Sequence, residues 1–124
     1  MPFTTATANK ILDKILRGVD FTPATNLYIS LHTADSGDNG ANEVTGGSYA
    51  RQAITFNAAN SKHADNPSQI EFAGMPACTI THVGLWSAST LGDFWWGGDL
   101  TASKTLNAGD TLRFPAADVD VNLV

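Results

Sequence analysis

The spacing of apolar residues changes at Gly18, and this change limits the folds that the chain can adopt. Before it, one stripe of apolar residues with the i, i+1, i+4, i+5 spacing of a helix face runs along residues 5–17: Ile11, Leu12, Ile15 and Leu16. After it, residues 26–32 alternate apolar and polar side chains, the period of a half-buried β-strand. The pattern predicts one N-terminal helix followed by β structure.

The predicted helix has suitable residues at both ends. Thr4 or Thr5 can accept hydrogen bonds from the free N–H groups of the first turn, and Gly18 suits the left-handed residue that ends a helix. A helix of this length is not stable alone in water. We therefore expect its apolar stripe to dock, either on the chain's own sheet or on a neighbouring subunit.

Turn residues divide the rest of the chain into about seven or eight short strands. We predict polar loops at 33–47 and 57–68, and strands at 26–32, 49–56, 69–72, 78–87, 94–100, 104–106, 111–114 and 118–124. Gly97 and Gly98 predict a bulge or a close backbone approach within one of them. The series predicts a single, mostly β domain over residues 1–124, an antiparallel β-sandwich of jelly-roll or immunoglobulin-like type with one N-terminal α-helix.

Composition narrows the possible functions. Charged residues make up 15% of the chain, well below the usual ~25%, and low charge favours a protein that works through contacts. The seven Lys and Arg residues are scattered among twelve acidic ones, so we expect no nucleic-acid binding. We also expect no membrane partner and no secretory signal, since no apolar stretch approaches ~20 residues.

No sequence motif for catalysis, metal binding or cofactor binding is evident, and we expect no enzymatic activity. Asp35, Asp38 and Glu43 lie in the 33–47 loop, but a calcium loop starting at Asp35 fails at its third residue, Gly37. The chain has three histidines and one cysteine, too few local pairs to predict a metal site.

Trp95 and Trp96 are adjacent on a predicted strand and therefore point to opposite faces of the sheet. Three interpretations stay open. Both rings can fill a core that covers the sheet on both sides, one ring can face outward in a protein interface, or an outward ring can stack on a sugar.

Four segments carry a family resemblance: FTTATANKILDKILRG, LYISLHTADSGDNGANEVTGGSYARQAITF, MPACTITHVGLW and LTASKTLNAGDTLRFPAADVDV. The most specific block is L-H-T-A-D followed by N-E-V-x-G-G-x-Y-A-R-Q. Over nearly its whole length the chain resembles small structural proteins of tailed-phage virions, which are commonly labelled tail fibre proteins.

The resemblance implies a virion protein that is assembled in the host bacterial cytoplasm. The leading expectation is a capsid decoration (cement) protein, a homo-oligomer with a trimer favoured, whose partners are the major capsid protein and other virion proteins. The alternative is a tail fibre or baseplate component, or a receptor-binding module that recognises glycans. A fibre usually needs an anchoring segment and a repetitive shaft, and neither is evident in the sequence.

The residues expected to reach neighbouring proteins come from the helix, the 33–47 loop and the aromatic pair. They are Ile11, Leu12, Ile15, Leu16, Asp35, Asp38, Glu43, Tyr49, Trp95 and Trp96.

Overall fold

A computed structural model describes residues 3–123, in which one α-helix precedes eight β-strands. The elements are α1 (Thr5–Arg17), β1 (Leu27–His32), β2 (Gln52–Ile54), β3 (His63–Asp65), β4 (Ile70–Phe72), β5 (Cys78–Trp86), β6 (Phe94–Leu106), β7 (Leu112–Phe114) and β8 (Asp120–Asn122). The predicted mostly β, antiparallel fold with one N-terminal helix is confirmed. The predicted last strand extends to Val124, which lies outside the described residues.

All strand pairs are antiparallel. Strands β2, β1, β5 and β6 form a four-stranded sheet in that order, and the other four strands form two separate ladders, β3 with β8 and β4 with β7. The second layer is thus divided between two short ladders instead of one continuous sheet. The long, β-branched and apolar β5 lies inside the main sheet, as its composition predicts.

The predicted strand at 49–56 is shortened to Gln52–Ile54, and two larger differences concern other strands. The segment predicted as a polar loop at 57–68 contains β3, which pairs with β8 through Ala64 and Val121. The two short strands predicted at 94–100 and 104–106 are one strand, β6, because a register irregularity absorbs the intervening residues opposite Ile80 and His82. The predicted close approach is present: a Cβ on Gly97 would lie 2.5 Å from the hydroxyl of Ser36.

One face of the four-stranded sheet forms the main core. Ile29 pairs with Leu85 and Leu31 with Val83, so these four side chains share a face. They belong to one buried cluster with apolar residues of the β4–β7 ladder, which are Ile70, Phe72, Leu112 and Phe114. This face is the one that the alternation in residues 26–32 predicts.

The opposite face is also buried, which corrects the expectation of a half-buried β1. Ser30 and His32 are both fully buried. The indole N–H of Trp86 donates to Ser30 Oγ at 2.8 Å, Ser30 Oγ lies 2.7 Å from His32 Nε2, and His32 Nδ1 lies 2.8 Å from the carbonyl of Ala41. Since that carbonyl only accepts, Nδ1 carries the proton and Nε2 accepts from Ser30. This series of hydrogen bonds fixes the 33–47 loop over the sheet.

Arg51 holds the same loop at a second point, two residues further along. Its guanidinium forms two hydrogen bonds with the Glu43 carboxylate, both 2.9 Å, and donates to the carbonyls of Ala88 and Leu91 at 3.0 and 2.8 Å. The guanidinium carbon also lies 3.7 Å from the centre of the Trp86 ring, a cation–π contact. One side chain thereby joins the 33–47 loop to the turn between β5 and β6.

Tyr49 completes this cluster. Its hydroxyl donates to Glu43 Oε2 at 2.7 Å and accepts from the Leu31 N–H at 3.1 Å. Burial, followed by the hydrogen bond to Glu43, raises the pKa of Tyr49. Burial alone would raise the pKa of Glu43, but the hydrogen bonds from Arg51 and Tyr49 outweigh it and the pKa lies below its usual value. Glu43 is therefore a carboxylate at neutral pH.

Acid should weaken the fold through His32. Burial lowers its pKa below the ordinary value of 6.5, so the folded chain favours the neutral ring. This contribution to stability is complete above the unfolded pKa and is lost as the pH falls through the folded pKa. We expect the difference in unfolding free energy between the wild type and His32→Gln, measured by urea titration, to shrink between pH 8 and pH 5. The same comparison for the half-exposed His63→Gln provides the control, and an equal change in both variants would contradict the prediction.

Removal of Arg51 should destabilise the chain strongly. The Arg51 side chain is 9% exposed and that of Glu43 is 22% exposed. We expect Arg51→Ala to lower the free energy of unfolding by about 3 kcal/mol, since it leaves a buried carboxylate unpaired.

The matched control is Arg113→Ala, because Arg113 pairs with Glu71 where the two side chains are 61% and 46% exposed. That variant should lose less than about 1 kcal/mol. Equal losses in the two variants, measured by denaturant unfolding, would show that the Arg51 cluster is not a buried ion pair in solution.

Candidate interaction surface

The first residues of α1 are fixed to the sheet through Thr4. Its N–H donates to the Trp95 carbonyl at 3.0 Å, its hydroxyl donates to the Phe94 carbonyl at 3.1 Å, and the same oxygen accepts from the Thr7 N–H at 3.3 Å. Thr4 therefore caps the helix and ties it to β6, as its predicted capping role requires. Gly18 ends the helix with a left-handed φ of 65°, also as predicted.

Asp38 of the 33–47 loop provides a second anchor for the same end. Its carboxylate accepts from the N–H of Thr5 at 3.1 Å and from the Thr5 hydroxyl at 2.6 Å. These two hydrogen bonds lower the pKa of Asp38. A negative charge at a helix N-terminus is favourable, so the helix and the loop hold each other in place.

Helix α1 turns its polar side towards its own domain. Thr7 is the buried residue of the helix. The Lys10 ammonium lies 5.5 Å from the ring centres of both Phe21 and Trp95, and these two rings are 5.4 Å apart. The helix thus contacts the sheet through a threonine and a lysine, at its N-terminal half.

The apolar side of the helix faces solvent. The exposed fractions are 53% for Leu12, 75% for Ile15, 74% for Leu16 and 44% for Val19, which follows the helix. These positions have the i, i+3, i+4, i+7 spacing of one face. Of the two partners that the sequence left open for the stripe, the chain's own sheet is therefore excluded for these residues.

Ile11 connects the exposed stripe to an apolar groove. The groove has a volume of about 260 Å³ and lies between the helix and the β3–β8 ladder. Its lining includes Phe3, Ala64, Val121 and Leu123, and Leu123 is itself 54% exposed. We call the stripe of Ile11, Leu12, Ile15, Leu16 and Val19, together with this groove, the α1 surface. Val19 and Leu123 were missed in the sequence, although Val19 continues the spacing of the stripe and Leu123 continues the alternation of β8.

The other predicted contact residues are used within the chain or remain on its surface. Glu43 and Tyr49 belong to the Arg51 cluster, and Asp38 caps the helix. Asp35 is exposed and accepts from the Gly37 N–H at 2.9 Å.

Of the three interpretations of the tryptophan pair, the first is confirmed: both rings are buried, and the expected contact of Trp95 or Trp96 with a neighbouring protein is wrong. Trp95 and Trp96 are 8% and 6% exposed, because the sheet is covered on both faces and Phe21 and Lys10 lie over Trp95. Trp95 is also the extra residue of a bulge: Leu85 pairs with Trp96 and Trp86 pairs with Phe94. Both rings are thus part of the chain's interior.

The side chains that could bind a metal or react are His, Cys, Asp and Glu. Within residues 3–123, no group of three or more His, Cys, Asp and Glu side chains is arranged to hold a metal ion. His32 and His82 are cross-strand neighbours, but His32 is hydrogen-bonded to Ser30 and Ala41. Burial raises the pKa of Cys78, which keeps it a thiol. What the arrangement offers is a surface for binding.

The helix is short in relation to a membrane. None of the helices in residues 3–123 has the length and apolar character needed to cross a bilayer.

The chain can be compared with curated proteins and with models of protein families. No curated protein matches the chain. A family model described as "Podophage GP4 fiber I protein gp80" matches residues 2–122, nearly the whole chain. The match agrees with the resemblance to tailed-phage virion proteins that the sequence carries. The chain therefore belongs to this family of phage fibre-type structural proteins.

Proposed function

We propose that this chain is a non-enzymatic component of a podophage tail fibre, held in the particle by a protein that covers the α1 surface. The fibre assignment is supported by the description of the family, which names a fibre protein. The observation that carries the binding role is the orientation of α1, whose polar side meets its own domain while Leu12, Ile15 and Leu16 face solvent.

Exposure of the apolar stripe of α1 to water is unfavourable. Full burial of a Leu or Ile side chain is favourable by about 1.5–3 kcal/mol, and a side chain that stays in solvent does not gain this free energy. Contiguous apolar patches on soluble proteins mark interaction sites more often than chance. The α1 surface is such a patch, and Thr4 and Asp38 hold it in a fixed position. A rigid apolar patch binds with little loss of conformational freedom.

A capsid decoration role was the leading expectation from the sequence, and the same surface could serve it. The family description favours the fibre, so decoration becomes the second location for the experiment to distinguish. Glycan recognition through Trp95 or Trp96 is not proposed, because neither ring presents a face to solvent.

Labelling of the chain in purified particles tests the location. A short epitope tag in the exposed turn at 107–110, between β6 and β7 and outside the α1 surface, should label the tail fibres when cryo-electron microscopy detects it with a bound antibody fragment. Label distributed over the capsid lattice would contradict the fibre role and would support decoration.

Incorporation into particles tests the surface. We expect Ile15→Glu to reduce the amount of chain in purified particles at least tenfold, because a carboxylate would enter an apolar contact. The matched control is Leu91→Glu: Leu91 is 81% exposed and lies in the turn between β5 and β6. Equal incorporation of the two variants would show that the α1 surface does not hold the chain in the particle.

A further inference from the structure

We infer that the α1 surface binds an acidic amphipathic helix of another protein of the particle, that is, a helix whose apolar side is flanked by Asp and Glu. The inference rests on the proposed function and deepens it, because it names the chemistry of the protein that covers this surface. Three features of the surface support it: the row of exposed apolar side chains, the groove beside that row and the distribution of charge.

The row has the form that one helix presents to another. The exposed apolar side chains on and just after α1 form a ridge with the spacing i, i+3, i+4, i+7: Leu12, Ile15, Leu16 and Val19. Thr4 and Asp38 hold the first turn of the helix on the domain, so the ridge has a fixed position. A second helix can lay its own apolar side along such a ridge, as amphipathic helices do in helix-in-groove complexes.

The groove beside the ridge combines apolar side chains with a positive charge. Ile11 belongs to both the ridge side of the helix and the lining of the groove, which also includes Lys62 and His63. Lys62 is exposed, and His63 already has a carboxylate partner, Asp120, at 2.8 Å. Among the residues that the structure describes, no acidic side chain lines the groove. A side chain that projects from a partner helix would therefore meet apolar groups with a positive charge beside them.

Basic residues are concentrated around this surface. The chain has a net charge of −5 and only seven Lys and Arg residues, and four of the seven lie on α1 or in the groove: Lys10, Lys14, Arg17 and Lys62. Asp13 is the single acidic residue of the helix. A second copy of the chain would bring these like charges together. A partner with carboxylates beside its apolar side would instead complement them.

Two basic side chains of the helix can turn to a partner at small cost. The side chains of Lys14 and Arg17 are 50% and 69% exposed. They lie 3.4 Å from Asp20 and 3.3 Å from Asp13, respectively. Exposed ion pairs of this kind contribute little to stability, so they can be exchanged for carboxylates of a partner. Lys10 differs from them, because it lies against two aromatic rings of its own domain.

Photocrosslinking in purified particles tests the chemistry of the partner. Leu16 is replaced by p-benzoylphenylalanine, the particles are irradiated, and mass spectrometry identifies the crosslinked peptide. We expect a segment of another virion protein in which apolar residues have helical spacing and Asp and Glu outnumber Lys and Arg. The same replacement at Leu91 is the control and should not capture this segment. A crosslink to a basic or uncharged segment, to a second copy of this chain or to no protein would overturn the inference.

Reversal of charge gives a second test. Each variant is produced together with an equal amount of the wild-type chain, and the ratio of the two is measured in purified particles. We expect the double variant Lys14→Glu, Arg17→Glu to be incorporated about tenfold less than the wild type, because its carboxylates would face those of the partner. Asp13→Asn should be incorporated at least as well as the wild type, since it removes the one acidic group of the helix.

The matched control is the double variant Lys104→Glu, Arg113→Glu, which makes the same change of net charge at exposed positions outside the α1 surface. It should be incorporated like the wild type, and circular dichroism of each purified variant checks that the fold is retained. Equal incorporation of the two double variants would overturn the inference.

Vesicles distinguish a protein partner from a lipid surface, which an amphipathic helix with basic residues can also bind. The purified chain is mixed with vesicles that contain equal parts of phosphatidylcholine and phosphatidylglycerol, and bound chain is measured by sedimentation. We expect the wild type to bind no more than the Lys14→Glu, Arg17→Glu variant. Binding by the wild type that this variant loses would assign the surface to an anionic membrane and overturn the inference.

The outcomes separate the inference from the proposed function. Epitope label on the tail fibres, together with a crosslink to a basic or uncharged segment, would leave the fibre role standing and overturn only the acidic partner. A crosslink to an acidic segment, together with label over the capsid lattice, would do the reverse.

Discussion

The guanidinium of Arg51 joins parts of the chain that the main sheet does not hold. It binds the carboxylate of Glu43, two carbonyls of the turn after β5, and the face of the Trp86 ring. Around it the 33–47 loop covers the second face of the sheet, and Asp38 of that loop then reaches the start of α1. The position of the helix therefore depends on a loop that an ion pair keeps in place.

This arrangement explains the most specific part of the family resemblance. The block N-E-V-x-G-G-x-Y-A-R-Q contains Glu43, Tyr49 and Arg51, whose side chains form one cluster. Gly47 stands in the same block, and a Cβ there would lie 2.8 Å from the Gly74 carbonyl oxygen. These residues serve the architecture, and the groups that face partners lie elsewhere, on a helix whose apolar side the sheet does not use.

The features that the sequence predicted well depend on neighbours in the chain. The helix bounds follow from Thr4, Gly18 and the stripe between them, and the strands of the main sheet follow from their alternation. Strand β3 was missed because His63 and Asp65 have no apolar alternation, and only pairing with the distant β8 makes them a strand. Ser30 and His32 alternate with Ile29 and Leu31, which indicated a face open to water. Buried polar residues with partners inside the chain give the same pattern as exposed ones.

The candidate surface was predicted only in part, for a related physical reason. The stripe of α1 is visible in the sequence, but amphipathicity does not say what will cover the apolar side. The burial of Trp95 and Trp96 likewise depends on whether a second layer covers the sheet. Phe21 and Lys10 cover Trp95, and Trp96 pairs with Leu85 on the core face of the sheet, and neither contact is visible in the sequence.

The independence of the core from the α1 stripe has a consequence for the order of events in assembly. All the buried apolar contacts of the main cluster form within one chain, and the stripe contributes none of its exposed residues to them. Folding of a single chain is then a first-order process, whereas docking of the folded chain on a partner through the α1 surface depends on the concentrations of both. Newly made copies can accumulate in folded form, and particle formation can draw on them at a rate set by their supply.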